Sequence, residues 1–142
     1  MTARISPTRW EITVPLVVQK KTGWFPLTMN SRLHWRPKAK LVAQIRQSVS
    51  WRAKGMCIPP QEHVTVWLCY APGSHRKLDA ANLAATAKPA VDALQDAGIV
   101  PGDDARYVTE KPVELVYDNG PRRAWLVVEA GERITIREAT DE

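Results

Sequence analysis

The run of eight residues at 63–70 (HVTVWLCY) is the feature that most limits how this chain can fold. It is apolar and rich in β-branched and aromatic residues, which is typical of a strand. Beyond a basic loop, residues 79–98 carry apolar side chains at helical spacing, on one arc of the helix. Pro89 lies inside this pattern and should kink or divide the helix, and Gly98 should end it. A strand followed by an amphipathic helix predicts a domain that mixes the two structures.

Four further segments have strand patterns, and one more has a helix pattern. Residues 10–18 (WEITVPLVV) and 24–27 precede a helix at 37–54, whose apolar positions recur at helical spacing. Residues 107–117 and 123–130 follow, and the Asp118-Asn119-Gly120 turn between them predicts a β-hairpin. We expect a short strand at 134–136 and a flexible tail at 137–142. The order predicts a single α+β domain over 1–142, with a mixed or antiparallel sheet packed against two main helices.

The size and composition favour one small domain of the cytoplasm. The chain has 142 residues, of which 44% are hydrophobic, so it can bury one core. Its apolar runs are shorter than the roughly 18 residues of a membrane helix, and its first residues (MTARISPTRW) lack the apolar stretch of a signal peptide. Cys57 and Cys69 fit neither a metal pair nor a disulfide framework, which indicates reduced thiols. We therefore expect a cytoplasmic protein with no membrane partner.

The charges are strongly segregated along the chain, although the net charge is only +5. Residues 12–61 contain no Asp or Glu, and a segment of one sign indicates a large anionic partner. Nucleic acid is the favoured partner, because each neutralised phosphate releases condensed counterions. A basic surface without a ligand is the alternative. The cations of this segment are Lys20, Lys21, Arg32, Arg36, Lys38, Lys40, Arg46, Arg52 and Lys54.

Carboxylates collect after the basic segment, in an arrangement that suits phosphodiester cleavage. Divalent metals that cleave phosphodiesters are held by oxygen ligands gathered at one point, usually carboxylates from separate elements. Asp79 lies at a junction of strand, loop and helix, directly after His75-Arg76-Lys77. Asp103 and Asp104 lie in the turn after the helix, which can return them close to Asp79. The alternative role for Asp79 is a helix N-cap.

Residues 76–108 (RKLDAANLAATAKPAVDALQDAGIVPGDDARYV) resemble the core motif of the RusA family of Holliday junction resolvases, particularly its phage-borne members. That motif contains basic residues, Asp-x-Asp-Asn-Leu, a helix with a lysine and Asp-(Gly/Ala)-Leu, a glycine and a closing Asp-Asp. Residues 26–36 (PLTMNSRLHWR) resemble the family's asparagine-containing basic loop less specifically. The resemblance is specific over about a quarter of the chain. The positions that match in order are Asp79, Asn82, Leu83, Lys88, Asp92-Ala93-Leu94, Gly98 and Asp103-Asp104.

This resemblance implies a homodimeric endodeoxyribonuclease that uses Mg²⁺ or Mn²⁺ and cuts four-way (Holliday) junctions by paired nicks. Forks and flaps are further candidate substrates, and the setting would be the cytoplasm of a bacterial or phage-infected cell. Asp79 and Asp104 would be the first-choice metal ligands, and Asp103 or Asp92 would be a further ligand or would hold one. Lys88 matches a family lysine suited to stabilising phosphate charge in the transition state. The alternative for Lys88 is an ordinary solvated lysine.

The basic segments on both sides of the first helix pattern are the candidate DNA contacts. Trp35 lies among basic residues, so it could stack on exposed bases or wedge a junction. It could equally pack on the core. The candidate DNA-binding residues are Asn30, Arg32, His34, Trp35, Arg36, Lys38, Lys40, Arg76 and Lys77.

Ala81 departs from the family motif, because it replaces the second aspartate of Asp-x-Asp-Asn-Leu. A methyl group cannot bind a metal, so this chain is expected to have weak or no turnover. The retained neighbouring positions favour an engineered alanine over a natural variant that recruits Asp103 or Asp92. The competing function is a binding module for junctions or other nucleic acids that kept the fold and lost the chemistry. A phosphotransfer enzyme for small nucleotides is a weaker alternative, since the chain has no Gly-rich phosphate loop.

Overall fold

The computed structural model describes residues 8–30 and 35–130, with the backbone alone for residue 35. A turn of 3-10 helix leads into the second of two α-helices. The expected strand at 134–136 and tail at 137–142 lie outside the described residues. The elements in chain order are β1 (Arg9–Val14), β2 (Val18–Lys20), β3 (Gly23–Phe25), α1 (Trp35–Gly55), β4 (Val64–Ala71), the 3-10 helix (Ala80–Leu83), α2 (Ala84–Asp96), β5 (Val108–Glu110), β6 (Glu114–Leu115) and β7 (Arg123–Ala130).

The main sheet is mixed. β7 lies between β1 and β4 and is antiparallel to both strands. On its other edge, β4 pairs with β5 and, further along, with β6, and both of these pairs are parallel. β2 and β3 form a separate antiparallel pair. The described residues thus form a single α+β domain with a mixed sheet and two main helices, as the sequence predicts.

The core lies between one face of the main sheet and the two α-helices. Burial alternates along β1, because successive side chains in a strand point to opposite faces. Ile45 and Val49 of α1 and Leu94 of α2 are fully buried, which confirms both predicted apolar stripes. α1 packs against α2 and against β1. Of the helices in the described residues, none has the length and hydropathy that a bilayer span requires.

The predicted hairpin around Asp118-Asn119-Gly120 is wrong. The expected strand at 107–117 is two short strands, β5 and β6, separated by a segment that contains Pro112, which has no N–H to donate. β6 pairs with β4 on the edge opposite to β7, so β6 and β7 are not neighbours. Asp118 instead accepts a hydrogen bond from Gly120 N and pairs with Arg123. The turn therefore carries the chain across β4 and does not join paired strands.

Two prolines shape the elements in different ways. The strand expected at 10–18 ends at Val14, directly before Pro15, and the chain continues as β2, which pairs with β3 and not with the main sheet. Pro89 does not divide α2, which continues from Ala84 to Asp96. It is buried among the apolar residues of α2, and helices in proteins are stabilised mainly by the packing of such a face. Packing there offsets the hydrogen bond that Pro89 cannot donate.

Candidate active site

Asp79 caps the 3-10 helix that precedes α2. Its Oδ1 accepts a hydrogen bond of 3.0 Å from the backbone N–H of Ala81, so the N-cap role is confirmed. The Asp79 side chain is nevertheless exposed, and an ionised carboxylate has about four lone-pair positions. One cap hydrogen bond therefore leaves acceptor capacity for another partner.

Lys88 brings two of the predicted carboxylates together. Its Nζ lies 2.9 Å from Asp92 Oδ1, one helical turn along α2, and 3.3 Å from Asp103 Oδ2 in the following turn. The hydrogen bond to Asp92 is the main cause that raises the pKa of Lys88. The hydrogen bond from Lys88 in turn lowers the pKa of Asp103. This cluster places the ammonium group of Lys88 between two carboxylates.

Arg46 of α1 extends the cluster to the other helix, and sequence reasoning did not single it out as a site residue. Its Nη1 lies 4.0 Å from Asp92 Oδ2, while its Nε and Nη2 both donate to Asp96. The hydrogen bond to Asp96 is the largest cause of the raised pKa of Arg46. Arg46 is one of the basic residues off the apolar stripe of α1, but a pairing across fifty positions of sequence leaves no local pattern.

Glu110 is a second residue of this region that sequence reasoning missed. It lies at the end of β5, opposite Val66 in the register of β4 and β5. Desolvation of its carboxyl raises the pKa of Glu110, nearby Lys88 opposes that shift, and Asp92 adds to it. Glu110 is exposed as a whole residue, so the desolvation concerns its carboxyl end. A parallel pairing of two distant strands places it there, and that pairing has no sequence signal of its own.

Asp104 has a different partner from its neighbour Asp103. Both oxygens of Asp104 accept from the Arg106 guanidinium, at 3.0 and 2.9 Å, and the backbone N–H of Arg106 donates to Oδ1. The hydrogen bond from the Arg106 side chain is the main reason that the pKa of Asp104 falls to about 2. Asp103, not Asp104, therefore joins Lys88. The expectation that Asp104 meets Asp79 at one ion stays a prediction.

The carboxylates of this region are ligands of the type that Mg²⁺ prefers, but they are too few to hold the ion alone. Further ligands, such as waters or substrate phosphates, would have to complete the site. Within residues 8–30 and 35–130, no three His, Cys, Asp or Glu side chains lie close enough together to hold an ion. Mg²⁺ commonly uses one or two carboxylates together with waters and substrate phosphates. Asp92 and Asp103 form such a pair, with Asp79 as a separate candidate. Lys88 Nζ lies between Asp92 and Asp103, so it would have to move for an ion to bind there.

The candidate DNA contacts are only partly described. Arg32 and His34 lie outside the described residues, and so does the side chain of Trp35. The other predicted contacts are exposed, except for Lys38, which is half-buried. Those exposed residues are Asn30, Arg36, Lys40, Arg76 and Lys77.

Two hydrogen bonds attach the segment that leads to Asn30 to the 3-10 helix and to α2, the helix that bears Lys88. The backbone N–H of Met29 donates to Asn82 O at 2.8 Å, in the 3-10 helix that Asp79 caps. The buried hydroxyl of Thr86 donates to Leu27 O at 2.6 Å. The segment that leads to Asn30 is therefore held close to the 3-10 helix that Asp79 caps.

Comparison with known proteins adds a relative without an assigned activity. No known family profile matches the chain. The chain is similar to an uncharacterized protein of Xylella fastidiosa strain Temecula1, with 31% identity over 94 residues. The match covers 62% of this chain, and the chain spans about 60% of the length of that relative.

Proposed function

We propose that this protein is a metal-dependent, structure-specific DNA endonuclease of the RusA type, which acts on Holliday junctions and other branched DNA. The observation that carries the proposal is the contact of Lys88 with carboxylates from two separate segments, Asp92 and Asp103, at 2.9 and 3.3 Å. These residues match positions of the family motif and meet in space. Asp79, another motif position, lies at the start of the same helical unit.

Each residue of the cluster has a distinct role in the proposed reaction. A bound Mg²⁺ or Mn²⁺ would polarise the scissile phosphate and lower the pKa of a bound water. Asp103 would offer an oxygen ligand, with Asp79 as a separate candidate ligand, and Asp92 holds Lys88. A DNA phosphate that approaches Lys88 competes for its ammonium group and frees carboxylate oxygens for a metal. Lys88 then stabilises the negative charge that develops on the phosphate.

The proposed grip on DNA uses the basic residues on both sides of this cluster. Arg76 and Lys77 are exposed in the loop directly before Asp79, and Lys40 is exposed on α1. Such side chains bind phosphates and position the duplex without reading its sequence. A homodimer suits a four-way junction, because two-fold symmetry lets two active sites reach symmetry-related strands.

A binding module without catalysis is the second candidate, and Ala81 favours it. Ala81 is exposed, and its methyl group adds no ligand beside Asp79. The paired interaction of Asp104 with Arg106 also occupies both oxygens of a carboxylate that the family motif assigns to the site.

Restoring the missing carboxylate tests the proposal. Four-way junction, duplex, fork and flap DNA, each end-labelled, are incubated with the protein and with Ala81→Asp in Mg²⁺ or Mn²⁺. We expect Ala81→Asp to raise cleavage of the branched substrates by about 100-fold, since loss of groups that support a metal commonly costs 10- to 100-fold. Cleavage should place paired nicks symmetrically about the branch.

Two carboxylate-to-amide variants in the Ala81→Asp background supply the control. Asp103→Asn should abolish the gain, whereas Glu129→Gln, which lies on β7 and pairs with Arg9, should keep it. Junction binding without cutting in either metal, even after the aspartate is restored, would favour the binding module instead.

A further inference from the structure

A cavity of about 380 Å³ opens beside Asp79, between the β2–β3 pair and the end of β4. Lys20, Arg76 and Arg122 contribute three cationic groups to its wall, and Asp79 contributes the single carboxylate. The excess of positive charge suits an anionic ligand. The volume lies within the range of sites for small molecules, which is about 300 to 1,000 Å³.

Arg122 is held in place and has an unused donor. Its Nη1 donates to Trp24 O at 3.2 Å, and its guanidinium lies 3.8 Å from the ring centroid of Phe25. Among the buried side-chain atoms of the described residues, Arg122 Nε has no hydrogen-bond partner. A buried donor without an acceptor is unfavourable, so an oxygen of a ligand would satisfy it once a small movement of the side chain exposes the N–H.

The backbone around Arg122 is closely packed, which limits how far this residue can move. Gly73 has a φ of +75°, and a Cβ at that position would lie 3.2 Å from the backbone nitrogen of Arg122. Tyr70, also on the wall of the cavity, is buried next to Arg122. Burial raises the pKa of Tyr70, an effect that Arg122 partly offsets, so its hydroxyl can donate at neutral pH.

Part of the remaining wall is apolar, and Thr22, Thr28, Ser74 and Asn82 add polar groups to it. Phe25, Pro72 and Leu78 face the same cavity as the cations. A phosphate ion alone would leave this surface unused, whereas a nucleobase has a flat, weakly polar body that stacks on such groups. Cationic and apolar groups on one wall therefore fit a ligand that joins a phosphate to a base.

We propose that this cavity binds one deoxynucleotide unit of a DNA strand, with its phosphate at Arg122 and Arg76 and its base against Phe25 and Leu78. The inference rests on the proposed action on branched DNA, where nucleotides at the branch can leave the stack at low cost. A nucleotide held there would place the adjoining phosphodiester next to Asp79. The cavity would thus position the strand to be cut.

Titration of the 142-residue chain with thymidine 5′-monophosphate, followed by NMR, tests this site without junction DNA or metal. We expect the signals of Arg122 Nε–H, the Phe25 ring and the Tyr70 ring to shift. Thymidine alone and inorganic phosphate alone should each bind at least about tenfold more weakly than the monophosphate. Arg122→Gln should weaken binding of the monophosphate by about tenfold, and Arg122→Lys should weaken it less.

Arg9→Gln is the matched control, because it removes the same charge from a distant position. Arg9 lies on β1 opposite Glu129, near the far end of β7 and roughly 20 Å from Arg122. It should leave the affinity within about twofold. If inorganic phosphate binds as tightly as the monophosphate, or if the shifts in the wild-type protein fall elsewhere, the nucleotide site is ruled out. Binding of the monophosphate in the cavity, with no junction cleavage even by Ala81→Asp protein, would overturn the proposed function and leave the site standing.

Discussion

At the scale of single residues, the two cysteines differ sharply in environment. Cys69 lies on the face of the main sheet that is turned away from the helices, packed with Trp67 and Val127. Burial raises the pKa of the Cys69 thiol to about 11. Cys57 is exposed and follows α1 with a φ of +55°. Neither cysteine is in a disulfide.

This difference predicts selective alkylation. A thiolate is the reactive form, so a raised pKa and burial both slow the reaction of Cys69. With iodoacetamide at about pH 8, we expect mass spectrometry of the native protein to show one rapid modification, at Cys57, and more than about tenfold slower modification of Cys69. Cys57→Ser should remove the rapid phase. Two modifications at similar rates in folded protein would contradict the burial of Cys69.

At the scale of elements, the contact between α1 and α2 is both apolar and ionic. Ile45 and Leu94 are fully buried in the core that the two helices share with the sheet. On the surface of the same contact, Arg46 donates twice to Asp96. The hydrogen bond from Arg46 is the main cause that lowers the pKa of Asp96. This contact sets the distance between the basic face of α1 and the carboxylates of α2.

The lowered pKa of Asp96 predicts a stability contribution that is lost in acid. Its stabilisation is complete above the ordinary aspartate pKa and disappears as the pH falls through the lower value of the folded state. Asp96→Asn should therefore lower the free energy of unfolding by about 0.5 kcal/mol at neutral pH, a value typical of a partly exposed, solvent-screened pair. The difference should shrink towards zero once the pH is below the lowered pKa of Asp96 in the folded state.

Urea unfolding at both pH values measures this contribution, and Arg46→Met supplies the matched background. In that background Asp96→Asn should have almost no effect at either pH. An equal loss with and without Arg46 would show that Asp96 stabilises the protein by some other contact.

The sequence predicts the elements well and their partners poorly. Periodicity is local, so Ile45, Val49 and the strand at 123–130 follow from the chain itself. The order of the strands in the sheet depends on which strand edges pair in the fold. The turn at Asp118 has the same sequence pattern whether or not the strands before and after it pair with each other. At the candidate site, the motif predicts that Asp103 and Asp104 both belong to it, but only the fold separates them: Asp103 contacts Lys88, and Asp104 contacts Arg106.

At the scale of the whole molecule, folding brings together charges that are segregated in the sequence. The acid-free segment and the carboxylate-rich segment are distant along much of the chain, yet Arg46 reaches Asp92 and Met29 is bonded to Asn82. A basic surface therefore borders an acidic cluster on one domain. This arrangement suits an enzyme that must attract a polyanion and place a phosphodiester beside carboxylates.

Cleavage of a supercoiled plasmid that carries an extruded cruciform tests the proposed function most directly. If a homodimer of Ala81→Asp protein nicks opposed strands in one binding event, Mg²⁺ should convert the plasmid mainly to linear DNA, and the same plasmid without the cruciform should stay supercoiled. Nicked circles as the main product would contradict the paired action. A cruciform plasmid that stays supercoiled in both Mg²⁺ and Mn²⁺, although the protein binds it, would contradict the nuclease itself.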